Sequence, residues 1–242
     1  MQNQKNILTK EIGHCVKLNF STLIIEEQDW KESYKTHFIP WTYNGFHLIP
    51  LWLKHTYKVP DDEISLFLDP GMAFGTGNHE TTRMCLEFLL ENGRTQQCSE
   101  SLLDFGCGSG ILSLVASLLG FENVIGLDND PDAVRISKEN ASLNHLTKNA
   151  EFICSDLLDL EQPIGKFDCI VANIQADILI SCASKIIDHC NRRSKIILSG
   201  ILSKEIDQVI SEFKKSEKDL VLNHKIKQDG EWSSVQFWSG LQ

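Results

Sequence analysis

From residue 101 onward, short apolar runs alternate with longer stretches in which apolar residues recur every three or four positions. The short runs read as strands buried in a sheet and the longer stretches as amphipathic helices. Predicted strands are Leu102–Phe105, Val124–Leu127, Glu151–Cys154, Asp168–Ala172 and Lys195–Leu198. Predicted helices are Ile111–Leu119, Pro131–Leu143 and Ala176–Cys190, with Pro131 suited to a first turn. Ser203 is placed to cap a further helix, in which Ile206, Val209, Ile210 and Phe213 form one apolar stripe. Val221–Ile226 and Trp232–Trp238 read as two closing strands around the turn pair Asp229-Gly230. The alternation predicts an α/β fold: a doubly wound, mainly parallel, seven-stranded, Rossmann-like sheet with an antiparallel C-terminal hairpin.

The earlier part of the chain is less regular. Ile64–Leu68 reads as a strand, followed by the glycine-rich loop Asp69–Gly77 and a helix. Asn78 is a candidate cap for that helix, Glu80 falls in its first turn, and Met84, Cys85, Phe88 and Leu89 follow at helical spacing. Before residue 61, Val16–Ile25 reads as a strand and Glu26–His37 as a short helix carrying Trp30 and Tyr34. The stretch through Pro40, Trp41, Tyr43, Gly45, Pro50, Trp52 and Pro60 is aromatic-rich and proline-punctuated, as in a packed connector. The predicted division is therefore a short extension and connector at 1–60 and one domain at 61–242.

Composition narrows the partners. The net charge of −10 counts against a surface that grips nucleic acid, because phosphate neutralisation supplies most of such affinity. It tolerates a basic partner, such as a lysine-rich protein, and simple solubility accounts for it equally. None of the eight cysteines forms a C-x-x-C pair, and no Cys/His cluster has zinc spacing, so no metal site is expected. Cysteines inside apolar runs, such as Cys169, fit a reducing compartment. No apolar run is long enough for a membrane span, and Met1–Lys5 lacks the apolar core of a signal peptide. A cytoplasmic location is expected. The oligomeric state is left open.

The candidate cofactor site centres on Asp104-Phe105-Gly106-Cys107-Gly108-Ser109-Gly110, between a strand and a helix. Gly106, Gly108 and Gly110 let the backbone turn tightly and approach a ligand, and the amides of the helix start favour an anionic group such as a carboxylate. A nicotinamide site would want its third glycine one residue later, where Ile111 stands. Asp128 ends the next strand, 22 residues after Gly106, where a carboxylate can accept hydrogen bonds from both ribose hydroxyls. Asp130 is the better cap for the helix at Pro131. Asp156, after the third strand, can bond an adenine amino group or cap a turn. Asn173, delivered to the crevice by the apolar fourth strand, can aim an amine or hold the amino-acid end of a cofactor. Cys107 stands at a helix start, where a thiol pKa can fall, but tight packing is the preferred reading.

The glycine pattern after Asp104 resembles motif I of the class I methyltransferases. Two further segments, Asp69–Thr82 (DPGMAFGTGNHETT) and Val171–Asp177 (VANIQAD), together with Ser199-Gly200-Ile201-Leu202, extend the resemblance to the PrmA family, from about Trp30 to the C-terminus. That family methylates amino groups of the eleventh protein of the large ribosomal subunit. The resemblance implies S-adenosylmethionine as cofactor, held by Thr82, Gly106, Asp128 and Asn173. The Asp69–Gly77 loop would act as a lid, with Phe74 as its apolar cover. His79 would orient a bound group or serve the helix start alone. Asn78, Glu80 and Gln175 depart from the family pattern. Fewer than 30 residues precede Trp30, too few for the recognition domain that the resemblance implies.

The expected reaction is in-line methyl transfer from a sulfonium to a nitrogen, lysine or N-terminal, of a large-subunit ribosomal protein. Its main demand is alignment. Asn173, as catalytic residue, and backbone carbonyls near Ile174 are the candidates for aiming the amine. Two alternatives stand beside it. One is methylation of another protein or a small molecule. The other is a non-catalytic cofactor-binding subunit that uses the aromatic residues 30–52 as a contact surface.

Overall fold

The computed structural model describes residues 38–69, 77–91, 100–156, 163–216 and 222–239. The elements expected at Val16–Ile25 and Glu26–His37, and the Phe74 cover, lie outside them. The chain divides into two compact units, Met1–Phe38 and Ile39–Gln242. The two sheets and their helices belong to the second unit.

This unit opens with a small sheet. Strands β1 (Trp41–Tyr43) and β2 (Phe46–Pro50) form an antiparallel hairpin, and β2 pairs in parallel with β3 (Ile64–Leu68). Asn44 and Gly45 make the turn with φ of 47° and 72°. Positive φ at both central residues suits a tight hairpin, and Asn-Gly is the dipeptide that tolerates it best. The stretch read as an irregular connector is thus partly strand, and the boundary expected at residue 60 falls between β2 and β3, which pair with each other.

The main sheet has seven strands: β4 (Ser101–Phe105), β5 (Asn123–Asp128), β6 (Ala150–Cys154), β7 (Phe167–Asn173), β8 (Cys190–Leu202), β9 (Leu222–Asp229) and β10 (Trp232–Ser239). Their order is β6-β5-β4-β7-β8-β10-β9. The pairs from β6 through β8 are parallel, and β10 is antiparallel to both β8 and β9. The sheet is as expected, hairpin included. The final strand, however, sits inside the sheet, and β9 takes the edge.

Five helices flank the sheet among the described residues: α1 (Glu80–Glu91), α2 (Ile111–Leu118), α3 (Pro131–Leu143), α4 (Ala176–Ile187) and α5 (Ile206–Ser216). Alternation along the strands divides the apolar side chains into two cores. Cys169 and Val171 join Leu102, Val124, Phe152 and residues of α1, α2 and α3. Ile170 and Ala172 join Leu103, Phe105, Leu198 and residues of α4 and α5. Strands buried on both faces read as continuous apolar runs for this reason. Each fully buried leucine or phenylalanine contributes about 1.5–3 kcal/mol.

Of the helix starts, one matches expectation and one does not. Asp130 caps α3, its side chain accepting the Asp132 N–H at 2.9 Å, with Pro131 in the first turn. Ser203, in contrast, stands three residues before α5. Its N–H bonds to Glu231 O, and its hydroxyl lies 2.9 Å from that of Ser233, so it ties β8 to the β9–β10 turn and β10. Elsewhere α4 ends at Ile187, short of the expected Cys190, and β8 begins at Cys190 rather than at Lys195.

Helix α3 also holds the small sheet against the large one. Asn144 presents both ends of its amide to one residue of β3. Its Oδ1 accepts Phe67 N–H at 2.8 Å and its Nδ2 donates to Phe67 O at 2.6 Å. One turn earlier, Asn140 accepts Asp69 N–H at 3.3 Å and donates to Ser109 O at 3.0 Å. The side chains thus take the place of a neighbouring strand along β3.

Candidate cofactor and methyl-transfer site

The C-terminal ends of β4, β5, β6 and β7, four neighbouring parallel strands, lie side by side at the edge where ligands bind in open parallel sheets. At the end of β4 the chain turns through Gly106, Gly108 and Gly110, all with positive φ, and enters α2. The amides of Gly106 and Cys107 both donate to Leu127 O of β5, at 2.8 and 2.9 Å. Gly110, at φ 81°, is the residue before α2, and a Cβ there would stand 2.8 Å from Ser137 and 3.0 Å from Phe152. The turn is therefore packed onto α3 and β6 as well as being left-handed.

Asp128 anchors the same turn from the end of β5. Its Oδ2 accepts Gly108 N–H at 2.8 Å and its Oδ1 accepts Asp130 N–H at 3.0 Å. An ionised carboxylate has about four lone-pair sites. One per oxygen remains after these two bonds. Asp156 lies two residues past β6, next to Ser155, whose amide bonds to Asp128 O at 2.8 Å.

Asp104 is fully buried, and Ser113 of α2 holds its Oδ2 through both N–H (3.2 Å) and Oγ–H (2.7 Å). Burial raises its pKa to about 7, against the pull of the two Ser113 bonds and with a further push from the charge on Asp128. Asn173, 9% exposed, sits on the neighbouring strand and donates from Nδ2 to Thr82 Oγ1 at 3.1 Å. In the β4–β7 register Asp104 lies opposite Val171, so Asn173, two residues on, faces the same side of the sheet. Asp104 Oδ1 and Asn173 Oδ1 are the two buried side-chain polar atoms without a hydrogen-bond partner among the described residues.

Thr82, Asp104, the three glycines, Asp128, Asp156 and Asn173 are thus all found at these strand ends or on the helix start packed against them. Phe74 is outside the described residues. Cys107 is packed rather than reactive: it is 4% exposed, and burial, followed by the charges of Asp104 and Asp128, pushes its thiol pKa up. His79 directly precedes α1, with Nδ1 2.8 Å from Thr81 Oγ1 and 3.3 Å from Thr81 N, and its ring meets Trp232 edge-on at 5.1 Å. Asn78 Oδ1 accepts from Arg83 Nη2 at 3.5 Å. Sequence reasoning misses Ser113, an ordinary serine in an apolar run, and meets Ser199 only within the Ser199–Leu202 stretch of the resemblance, without a role; the fold reveals what each holds.

The fit of S-adenosylmethionine can be judged from the two orphaned oxygens. A buried acceptor without a donor costs about 1–3 kcal/mol, and an ammonium group supplies such donors. The N–H groups of the three glycines are taken by Leu127 O, Asp128 Oδ2 and Cys107 O, so these residues offer close backbone approach rather than free donors, and the spare lone pairs of Asp128 suit a diol. The residues present fit this cofactor. Sheet order, glycine turn and the residues at these strand ends together define a class I methyltransferase, an enzyme that takes its methyl group from S-adenosylmethionine. Within that class, the family profile described as ribosomal protein L11 methyltransferase (PrmA) matches residues 1–239. The chain belongs to this family, and the match begins well before Trp30.

Individual relatives agree. The ribosomal protein L11 methyltransferase of Desulfotalea psychrophila is 37% identical over 213 residues, 87% of this chain and 68% of that protein. The corresponding protein of Pelobacter propionicus is 38% identical over 216 residues, 88% of this chain and 67% of its own length. This chain therefore spans about two thirds of the length of these two relatives. The crystal structure of a ribosomal protein L11 methylase from Lactobacillus delbrueckii subsp. bulgaricus superposes with a TM-score of 0.68 at 29% identity, covering 81% of this chain and 96% of that one.

Proposed function

We propose that this chain methylates amino groups, of lysine or of the N-terminus, on a ribosomal protein, and that ribosomal protein L11 is the acceptor. The observation that carries the reading is the convergence of Asn173, Thr82 and the glycine turn at the strand ends of a chain so similar to L11 methyltransferases.

The cofactor, when bound, supplies a methyl group on a sulfonium whose sulfur becomes neutral on transfer. The rest falls to the protein. Asp128 accepts the ribose hydroxyls, and Gly106, Gly108 and Gly110 give the cofactor's amino-acid end room against the backbone. Asn173 Oδ1 would take up its ammonium group or the acceptor amine, and Asp104, neutral in the empty site, would present Oδ1 as an acceptor once ionised by the approaching cation. Asp156 serves the adenine edge. Thr82 keeps the Asn173 amide from rotating, which leaves Oδ1 directed away from α1. A lysine acceptor has a free pKa of about 10.4 and must lose a proton before attack, and a dry crevice lowers that value. The protein's contribution is alignment, which can be worth about 7–11 kcal/mol.

The test is intact-mass analysis of purified ribosomal protein L11 after incubation with this protein and S-adenosylmethionine. A gain in whole methyl steps supports the reading. No gain, from protein shown calorimetrically to bind the cofactor, overturns the L11 assignment and directs the search to other acceptors in unmethylated cell extract.

A further inference from the structure

The Ser199-Gly200 pair of β8 has no part in the cofactor contacts above, yet it touches the Asn173 region from two sides. In the β7–β8 register Asn173 lies opposite Ser199. Gly200 has φ 81°, and a Cβ at this position would stand 2.6, 2.9 and 3.1 Å from the O, C and N atoms of Ile174. These are backbone atoms, which cannot swing aside as a flexible side chain can. The turn that carries the chain out of β7 therefore rests directly on Gly200. Its other flank rests on a second glycine, since a Cβ at Gly106 would meet Ile174 Cγ2 at 2.6 Å. Ile174 is seated between two left-handed glycines, one in the cofactor turn and one in β8.

Ser199 reaches the same place by another route. Its hydroxyl donates to Thr81 O at 2.9 Å, and Ser234 Oγ stands within hydrogen-bond reach behind it. The next residue of α1, Thr82, is the one that holds the Asn173 amide. Ser199, Ser234 and Thr82 are all fully buried. The backbone after Asn173 is thus set by Gly200, and its side chain is set through the α1 start that Ser199 secures.

We propose that Ser199 and Gly200 are positioning residues for methyl transfer: they fix the height and rotation of the Asn173–Ile174 turn above the cofactor turn, and so the point at which the acceptor nitrogen is aimed. The inference rests on the reading of Asn173 as the residue that aims the amine. It goes beyond that reading because neither Ser199 nor Gly200 need touch cofactor or acceptor. A displacement of about 1 Å in such a turn can cost on the order of a hundredfold in rate without loss of binding.

The experiment compares Gly200→Ala, Ser199→Ala and, as a control, Gly230→Ala. Gly230 has φ 57° with open space around it, so its variant carries the left-handed penalty without the collision. Three quantities are measured: cofactor Kd by calorimetry, kcat and KM with purified ribosomal protein L11, and the side-chain amide resonance of Asn173, assigned through Asn173→Asp. Gly200→Ala should lower kcat by about tenfold or more. Its cofactor Kd should change by less than about threefold. Its Asn173 amide resonance should move, and Gly230→Ala should leave all three unchanged. Ser199→Ala, which removes the hydroxyl's bonds to Thr81 O and from Ser234 Oγ but adds no backbone collision, should show the same pattern at smaller amplitude. It carries the test alone if Gly200→Ala does not fold. Wild-type kcat in the folded variants, or losses of kcat and cofactor affinity in equal proportion, would overturn the proposal. If the wild-type protein fails to methylate L11, the proposed acceptor falls. The amide resonance then decides for the positioning residues, and an unmoved signal refutes them.

Discussion

Asp104 makes a sharp test of the site, because the fold forces a carboxyl group into the sheet with one oxygen satisfied and the other not. Its pKa stands at about 7, against an ordinary value of 3.8, with burial as the main cause. The folded protein keeps this proton up to about pH 7, whereas the unfolded chain releases it above about pH 4. Between those limits the folded state binds more protons, so stability falls as pH rises through the window, and the cost is complete above about pH 7. The slope for one proton is about 1.4 kcal/mol per pH unit. Asp104→Asn keeps an acceptor for the two Ser113 bonds but does not titrate. Its amide nitrogen at the position of Oδ1 shifts the whole curve by a constant. The variant should therefore gain on the wild type by about 2 kcal/mol between about pH 5.5 and 7. Urea unfolding of both proteins at several pH values measures the difference, and every other titrating group cancels in it. Parallel stability curves would refute the argument that Asp104 is held as a neutral acid.

Asp128→Ala removes the acceptor for Gly108 and Asp130 amides as well as the proposed ribose contact. Cofactor binding should weaken by about 1.5–3 kcal/mol in calorimetry, and an unchanged Kd would end the ribose assignment. Asn173→Ala should reduce turnover of the acceptor more than cofactor affinity; equal losses in the two would mean that it only holds the cofactor. Asn144→Ala leaves both backbone groups of Phe67 without their amide partner, so the midpoint of urea unfolding should fall by an amount worth about 1–3 kcal/mol. An unaltered midpoint would show that water replaces the amide at no cost.

The parallel part of the sheet is readable from sequence because strands buried on both faces leave unbroken apolar runs, and because Pro131 and Asp130 together mark a helix start. The glycine turn and Asp128 are readable because their spacing follows from the geometry of one β-α-β unit. The β1–β2 hairpin escapes although Asn44-Gly45 is a strong hairpin signal, since Pro40, Pro50 and the clustered aromatics suggest a connector. Ser203 misleads because a serine three residues ahead of an apolar stripe looks like a cap until β10 is seen beside it. Asn140 and Asn144 look like ordinary polar positions of an amphipathic helix. Their function depends on β3 and the residue after it, 71 and 77 residues away in sequence, and nothing local encodes that pairing. The Ile174 seat is legible only in part, because positive φ is expected at a glycine in a turn but not at Gly200 within a strand.

The placement of β10 between β8 and β9 has a consequence for how the chain is made. As the polypeptide leaves the ribosome, β9 emerges before β10, yet β10 is its strand partner in the sheet. Until residues 232–239 appear, β8 presents an open edge with Ile196, Ile197 and Leu198 in it, and β9 has nothing to pair with. A released chain that ends before Trp232 would leave this apolar strand edge open to pairing with other chains. Truncation before Trp232 should therefore cost the sheet two strands and not one, because β9 joins it through β10.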